Sequence, residues 1–483
     1  MDLILVKELS EKLGVAFGTS GVRGRVEDLT SELCYAYTKA FLQVLGNVKK
    51  VAIGIDLRPS SPLMAKACIQ AVREFGAEVE YFGSLPTPAL AFYSIQEKIP
   101  AVMITGSHIP FDRNGIKFYK PEGEISKQDE ALILNEKVSI SESLDQSINN
   151  VSLESPSPVA VTRFKKRYEE FFASDLLSGK RVGIYEHSSV ARDLLCDLLS
   201  SFGADVISLD RTDSFVPIDT EAVSAEDIAK GKSWSEHYKL DLIVSTDGDG
   251  DRPLVADEKG DWLRGDVLGF LCAQYLNASH VAAPINVNSI LDNISSDVVK
   301  TKIGSPYVIE AMDSWSNIAE ASAIVGFEAN GGFLIGSDLT LHGRSLSKLP
   351  TRDSVLPMLI VSALMKYRNC SLSQIVDALP KRYTSSDRIK EFSSERSKDL
   401  LASLINDEQV TGVFIASILD LKGVNVSGID LTDGVRFLLD NDEIIHFRAS
   451  GNAPELRCYA ESSSQKRSDD LVAQALLNVK SNY

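Results

Sequence analysis

Residues 104–119 read ITGSHIPFDRNGIKFY. A hydroxyl nucleophile, Ser107, stands beside His108. Pro110 restricts the chain, and Asn114-Gly115 is a turn pair expected to fold it back toward Lys117. The preceding AVMIT (101–105) has the apolar, β-branched character of a strand. Ser107 therefore falls just past a strand's carboxyl end, where parallel α/β sheets place ligands. The acyl-transfer elbow G-x-S-x-G is absent, since the run is T-G-S-H-I. Backbone N–H groups and a lysine suit a phosphate better than an acyl group. Taken alone, the stretch reads equally well as a structured turn.

A second patch, STDGDGDRP (245–253), follows the strand-like DLIV. Asp247, Asp249 and Asp251 alternate with glycines, so in an extended loop three carboxylates converge on one point. Like charges this close repel, and a cation relieves the repulsion. A calcium loop of the D-x-D-x-D-G type is the rival, and Glu258 stands at its twelfth position. It fails on Arg252, where the sharp turn needs glycine, and on the strand that precedes it. Three oxygen ligands with room for water and a phosphate oxygen suit Mg²⁺, with Arg252 placed to touch that phosphate.

Two weaker patches follow. GFEANGG (326–332) sets Glu328 and Asn330 among small residues, a donor and acceptor set suited to sugar hydroxyls or to a tight turn. FRASGNAPELR (447–457) flanks Ser450, Gly451 and Asn452 with Arg448 and Arg457, two guanidinium forks suited to bidentate phosphate contact. Near the N-terminus, FGTSGVRG (17–24) is a glycine-rich loop that would present Arg23 to a shared site. Gly231-Lys232-Ser233 mimics the end of a P-loop, but Glu226 occupies the position of its first glycine.

The elements that must carry these loops are legible as repeats. VAIGIDLRPSSPLMAKACIQAVREFGAEVEYF (51–82) and RVGIYEHSSVARDLLCDLLSSFGADVISL (181–209) each run strand, polar segment, helix, Phe-Gly-Ala and strand. The glycine is a helix stop, and the order is a βαβ unit with parallel pairing. A third unit is predicted from HVAAPINVNSILDNI, taken as a strand and helix start, through GSPYVIEAMDSW to AIVGFEANGG. The last hundred residues instead predict short strands from GVFIASILDL (412–421) onward and a closing polar helix, an α+β unit with a mostly antiparallel sheet. The Ser-rich segment 139–159 reads as a linker. The expected units are 1–150, 151–258, 259–372 and 373–483.

Composition narrows the partners. The formal net charge of −17 argues against nucleic acid, which needs basic stripes, so any anion site must be locally positive. Six scattered cysteines without a C-x-x-C pair suit free thiols in a reducing compartment. No apolar stretch reaches membrane-spanning length and the first residues carry no basic leader pattern, so a cytoplasmic protein is expected.

Taken in order, these patches resemble the α-D-phosphohexomutases, the phosphomannomutase/phosphoglucomutase family, along essentially the whole chain. TGSHIP with NGIK resembles the family's serine loop T-[AG]-S-H-N-P…N-G-x-K, and DGDGDR its metal loop D-G-D-[GA]-D-R. GFEANGG resembles the sugar loop G-E-x-S-G-H, RASGNAPELR the phosphate loop R-x-S-G-T-E-P-x-x-R, and FGTSGVRG is intact.

The resemblance implies three related α/β domains and a C-terminal α+β domain, heart-shaped around a central cleft. It implies a hexose 6-phosphate/hexose 1-phosphate mutase, acting through phosphorylated Ser107 and a hexose 1,6-bisphosphate. One Mg²⁺ would be held by Asp247, Asp249, Asp251 and a phosphoserine oxygen. Lys117, Arg23, His108 and Arg252 would serve catalysis. Gly304, Glu328, Asn330, Arg448, Ser450, Gly451, Asn452 and Arg457 would bind substrate. Small sugar phosphates are the expected partners, and a monomer or homodimer the expected assembly.

The EANGG form is most like bacterial phosphomannomutases, which favours mannose phosphates. Phosphoglucomutase or dual activity is the alternative, ahead of a phosphoglucosamine mutase or a non-catalytic sugar-phosphate sensor. Two departures stand out. Ile109 replaces the loop's usual asparagine, and Gly332 replaces a histidine implicated in proton transfer.

Overall fold

Three sheets repeat one plan, and the chemistry sits at the same place in each. A computed structural model describes residues 3–18, 20–316, 318, 323–406, 411–412, 414–415, 424–450 and 454–482. In the first sheet the strand Lys50–Ile55 pairs in parallel with Glu78–Ser84 and Ala101–Ile104, and the chain then returns antiparallel as Arg113–Lys120. In the second, Arg181–Tyr185 lies parallel to Asp205–Leu209 and Leu242–Thr246, and Pro253–Ala256 returns antiparallel. In the third, His280–Pro284 lies parallel to Asp297–Thr301 and Ile324–Phe327, followed by antiparallel Phe333–Ile335 and Leu349–Asp353.

The turn that leaves each third parallel strand is the serine loop, the aspartate loop and the Glu328 loop respectively. The fourth sheet is antiparallel throughout, in the order Tyr383–Lys390, Glu455–Ser462, Ile444–Ala449, Val435–Leu439, Val426–Asp430. In it the adjacent antiparallel strands Ile444–Ala449 and Glu455–Ser462 carry Arg448 and Arg457.

The repeated Phe-Gly-Ala behaves as a helix stop. Gly76 ends the helix Ser61–Phe75 at φ +91°, and Gly203 follows the helix Arg192–Ser201 at φ +88°, left-handed values that cost an L side chain strain. The first three units share one continuous apolar core reaching from Ala52 and Phe164 through Leu198 to Phe327 and Met358. The fourth has its own, built on Phe437, Phe447, Leu456 and Leu471. It meets the third unit through polar contacts: the Ser289 N–H donates to Glu461 Oε2 at 2.9 Å, and the Ile303 N–H donates to Asp433 Oδ2 at 2.9 Å.

Four sequence expectations are corrected. Asn114-Gly115 lies inside the strand Arg113–Lys120, because both residues make packing contacts no turn would need. The Asn114 amide donates to the Ser60 and Ser61 hydroxyls at 2.8 and 3.0 Å. A Cβ on Gly115 would stand 2.3 Å from the Val22 carbonyl and 2.9 Å from that of Thr105. Gly115→Ala should therefore destabilise the fold by about 2–3 kcal/mol, measured by urea unfolding. The linker reading of 139–159 fails in part. Leu144–Asn149 is helical, with Leu144 and Ile148 buried in a second apolar cluster of the first unit that includes Leu33, Phe41 and Ile69, since its apolar residues recur at helical spacing. The helix expected after His280–Pro284 is a short 3-10 turn, Ser289–Asn293. In 412–421, Gly412, Phe414 and Ile415 are helical where a strand was expected, and 413 and 416–421 lie outside the described residues. Short apolar runs do not separate strand from buried helix.

The six cysteines are free thiols. Among the described residues no helix is long and apolar enough to cross a membrane.

Candidate active site

Ser107 is buried and held at φ +53°, a left-handed conformation that costs a non-glycine residue about 1–2 kcal/mol. Its N–H donates to the Thr105 hydroxyl at 2.8 Å, and its own hydroxyl donates to Asp247 Oδ2 at 2.5 Å. The strain is sustained by Arg58, which lies in the DLRPSSP segment after the first strand. Arg58 Nη1 donates to the carbonyls of Pro110 and Arg113 at 2.7 and 2.8 Å, and Nη2 to those of Ser107 and Ile109 at 2.9 and 2.5 Å. Nε donates to Asp56 Oδ2 at 3.2 Å, and the guanidinium lies 3.9 Å from the centre of the Phe215 ring. Gly106 is bare because a Cβ there would stand 2.6 Å from the guanidinium. All four loop contacts are to backbone carbonyls, so the brace does not depend on which side chain stands at 109. Ile109 therefore leaves the loop's support intact.

The aspartate loop is bound by three units at once. Asp247 Oδ1 accepts from the backbone N–H groups of Asp251 and Arg252, both at 3.2 Å. Asp249 Oδ2 accepts from Thr87 Oγ1, the first residue of a helix, and from Lys117 Nζ, both at 2.7 Å. Asp251 Oδ2 accepts from Lys117 Nζ at 2.6 Å and Arg352 Nε at 3.0 Å. The second oxygens of Asp249 and Asp251 are buried and accept no hydrogen bond. The three carboxylates offer oxygens within 4.8 Å of one another. Orphaned, convergent carboxylate oxygens beside a serine hydroxyl fit a hard divalent cation such as Mg²⁺. Burial, with Asp249 and Asp251 beside it, pushes Asp247 well above the usual carboxylate range. Against the same burial, Arg352 and Lys117 hold Asp251 below that range. Glu258 turns away onto the Ser373 hydroxyl at 2.5 Å, as rejection of the calcium loop requires.

The expected catalytic groups gather around this loop. Burial opposes its charge, but Asp249 and Asp251 raise the Lys117 ammonium, so it stays protonated. Arg23 is pushed down to about 10 by burial and by Arg252 and Arg352 nearby. Arg252 Nε is buried without a hydrogen-bond partner, 3.8 Å from Asp251 Oδ1. His108 Nδ1 lies 3.4 Å from Ser107 Oγ. Burial, then Arg252 and Arg23, push His108 well below its usual 6.5, so its ring is neutral. His187 and His446 are likewise pushed down to about 4 by burial. An unfolded histidine binds a proton that these three refuse. Stability should hold above pH 6.5 and fall below it by up to about 1.4 kcal/mol per pH unit per histidine. Thermal melting from pH 7.5 to 5 measures this, and His187→Gln should flatten the slope.

The Glu328 loop faces the same centre. Glu328 is buried, and its Oε2 accepts from Arg352 Nη1 at 3.2 Å. Gly304 caps the helix Ser305–Ser314 at φ +136°, and the Ser305 hydroxyl lies 3.4 Å from Arg352 Nη1. Asn330 is turned to its own loop: its Oδ1 accepts the Gly332 N–H at 2.9 Å, and its carbonyl accepts from Thr220 at 2.8 Å. In the fourth unit, Arg448 Nε lies 2.7 Å from Asp433 Oδ2, the oxygen that also accepts the Ile303 N–H. Ser450 is buried, its N–H donating to the Glu455 carbonyl at 2.9 Å. Arg457 lines a cavity of about 130 Å³ with Glu221, Arg388 and Tyr459. Gly451 and Asn452 lie outside the described residues.

Arg58, Thr87 and Arg352 were not found by motif reading. Arg352 had a signal, a charged pair in LPTRDS directly before the helix Val355–Arg368, whose first seven residues are all apolar, so that burial was to be expected. Thr87 had none.

The geometry is that of a multi-unit enzyme with a serine beside a cation site, and comparison with known proteins fixes the class. Models of the phosphoglucomutase/phosphomannomutase alpha/beta/alpha domain I, alpha/beta/alpha domain III and C-terminal domain match residues 14–143, 264–383 and 400–477. A phosphomannomutase of Salmonella muenchen is 48% identical over 484 residues, covering 98% of this chain and 97% of the relative. A phosphomannomutase of Sinorhizobium fredii is 40% identical over 476 residues, covering 96% and 98%. The crystal structure of a phosphoglucomutase/phosphomannomutase family protein from Burkholderia thailandensis shares the fold, with a TM-score of 0.70 at 16% identity over 96% of this chain and 97% of that one. The chain belongs to the phosphoglucomutase/phosphomannomutase family. It is an isomerase of sugar phosphates, a phosphohexomutase.

Proposed function

We propose that this enzyme interconverts mannose 6-phosphate and mannose 1-phosphate through phosphorylated Ser107 and a hexose 1,6-bisphosphate. The observation that carries the reading is the Ser107 hydroxyl seated 2.5 Å from Asp247, beside two buried carboxylate oxygens that accept no hydrogen bond. The sugar preference rests on the two phosphomannomutases that match nearly the whole chain.

In the first half-reaction the Oγ–P bond of phosphoserine 107 breaks as a sugar hydroxyl oxygen bonds to that phosphorus, and the hydroxyl proton passes to the freed Ser107 Oγ. The bisphosphate turns, and its other phosphoryl group returns to Ser107. Such transfers need alignment and neutralised charge more than covalent help. Asp247, Asp249 and Asp251 would hold Mg²⁺, which when bound supplies charge neutralisation at the transferring phosphoryl oxygens. Arg252, with its unpartnered Nε, and Arg23 supply fixed positive charge beside it. Lys117 keeps its proton at Nζ and faces the carboxylates. Neutral His108 leaves one ring nitrogen free to accept a proton near Ser107 Oγ. Glu328 accepts hydrogen bonds from sugar hydroxyls, with Gly304 at the neighbouring helix start. Arg448, Ser450, Gly451, Asn452 and Arg457 bind the idle phosphate, which explains a positive site apart from the metal in a chain of net charge −17.

A coupled assay with mannose 1-phosphate and glucose 1-phosphate, each with a trace of its bisphosphate, tests the reading. Isomer should form without free phosphate, and mannose 1-phosphate should give the higher kcat/KM. Free phosphate as main product would mark a phosphatase instead.

A further inference from the structure

Arg352 has no place in the scheme above, yet it joins the two halves of the site. It is buried on the strand Leu349–Asp353. One edge holds a metal carboxylate, with Nε 3.0 Å and Nη2 2.9 Å from Asp251 Oδ2. The other edge holds the sugar carboxylate, with Nη1 3.2 Å from Glu328 Oε2. Its stem runs over the bare Cα of Gly332. A Cβ there would stand 2.6 Å from both Cγ and Cδ of Arg352 and 3.1 Å from its Cβ. Those atoms are near the backbone end of the side chain and cannot swing aside while the head keeps its partners.

We infer that Arg352 is a positioning residue that aims Glu328 at the sugar and neutralises part of Asp251, and that Gly332 is bare because the Arg352 stem fills its side-chain space. The inference rests on the mutase reading for what Glu328 binds. A guanidinium keeps its proton at every working pH, so its contribution is charge and geometry rather than proton transfer. Its two effects have opposite signs. Positive charge on Asp251 competes with a metal cation, whereas a fixed Glu328 favours the sugar.

The test is calorimetric titration of the full chain, first with Mn²⁺, then with mannose 6-phosphate and separately glucose 6-phosphate. Arg352→Gln should bind Mn²⁺ roughly five- to tenfold more tightly and the sugar phosphates about tenfold more weakly. Gly332→Ala should move both affinities the same way by displacing the stem. The double variant should be no worse than Arg352→Gln, because the two substitutions remove one interaction. Loss of folded structure would weaken both ligands together, and that result in a folded variant would overturn the proposal. So would unchanged sugar-phosphate affinity, or single effects that add. Should Arg352→Gln not fold, Arg352→Lys decides. A lone ammonium keeps the charge but cannot span both carboxylates, so Mn²⁺ affinity should stay near wild type while sugar-phosphate affinity drops. Isomer formation by the wild type is measured separately. A chain that binds sugar phosphate with these signs but does not isomerise would refute the mutase reading and leave Arg352's role standing.

Discussion

Ser107→Ala is expected to lower the mutase kcat by about three orders of magnitude or more, since it removes the only oxygen that carries the phosphoryl group between half-reactions. The substituted methyl also removes the hydrogen bond that the Ser107 hydroxyl donates to Asp247 Oδ2 at 2.5 Å. Because sugar and idle phosphate would be held by Glu328 and the fourth unit, affinity for mannose 6-phosphate should change less than about threefold. Stopped assays with added bisphosphate and calorimetric binding on the same preparation separate the two quantities. Mutase rates near wild type in this variant would remove Ser107 from the mechanism.

Arg58→Ala should produce the next largest effect, on both stability and rate. The guanidinium is fully buried and supplies four hydrogen bonds to loop carbonyls as well as the ion pair to Asp56. Its removal leaves a buried carboxylate without a cation, which costs about 3–5 kcal/mol. The serine loop then has little to hold Ser107 at φ +53°, and displacement of a nucleophile by about 1 Å lowers rate roughly 10²-fold. Arg58→Lys keeps a charge near Asp56 but not the fork that reaches four carbonyls, so it should recover part of the stability and little of the rate. Chemical denaturation and kcat on the two variants test the split. Ile109→Asn, by contrast, should leave both near wild type.

The positions of the chemistry were legible because each patch is short, local and chemically unusual. Alternating aspartates in STDGDGDRP cannot sit together without a cation or protons, and the loop does bring their oxygens within 4.8 Å. The βαβ order of residues 51–82 and 181–209 was legible because strand, helix and glycine stop succeed one another within each segment. Asn114-Gly115 misled because a turn signal and a close strand approach both call for glycine, and only the neighbour decides between them. Asn330, expected at the sugar from its residue type, also braces its own loop through Oδ1 and the Gly332 N–H, a local geometry that residue type does not disclose.

The sequence by itself determined the family, the four loops and the residue types in them, since those depend on nearest neighbours along the chain. The tertiary structure decided who holds them. Thr87 and Lys117 reach Asp249 from 162 and 132 residues away, and Arg352 reaches Asp251 from 101. Arg58 braces a loop about 50 residues distant. Those partners carry no motif, because a buried charge is placed by the requirement that another buried charge be matched, and that requirement is met through space rather than along the chain.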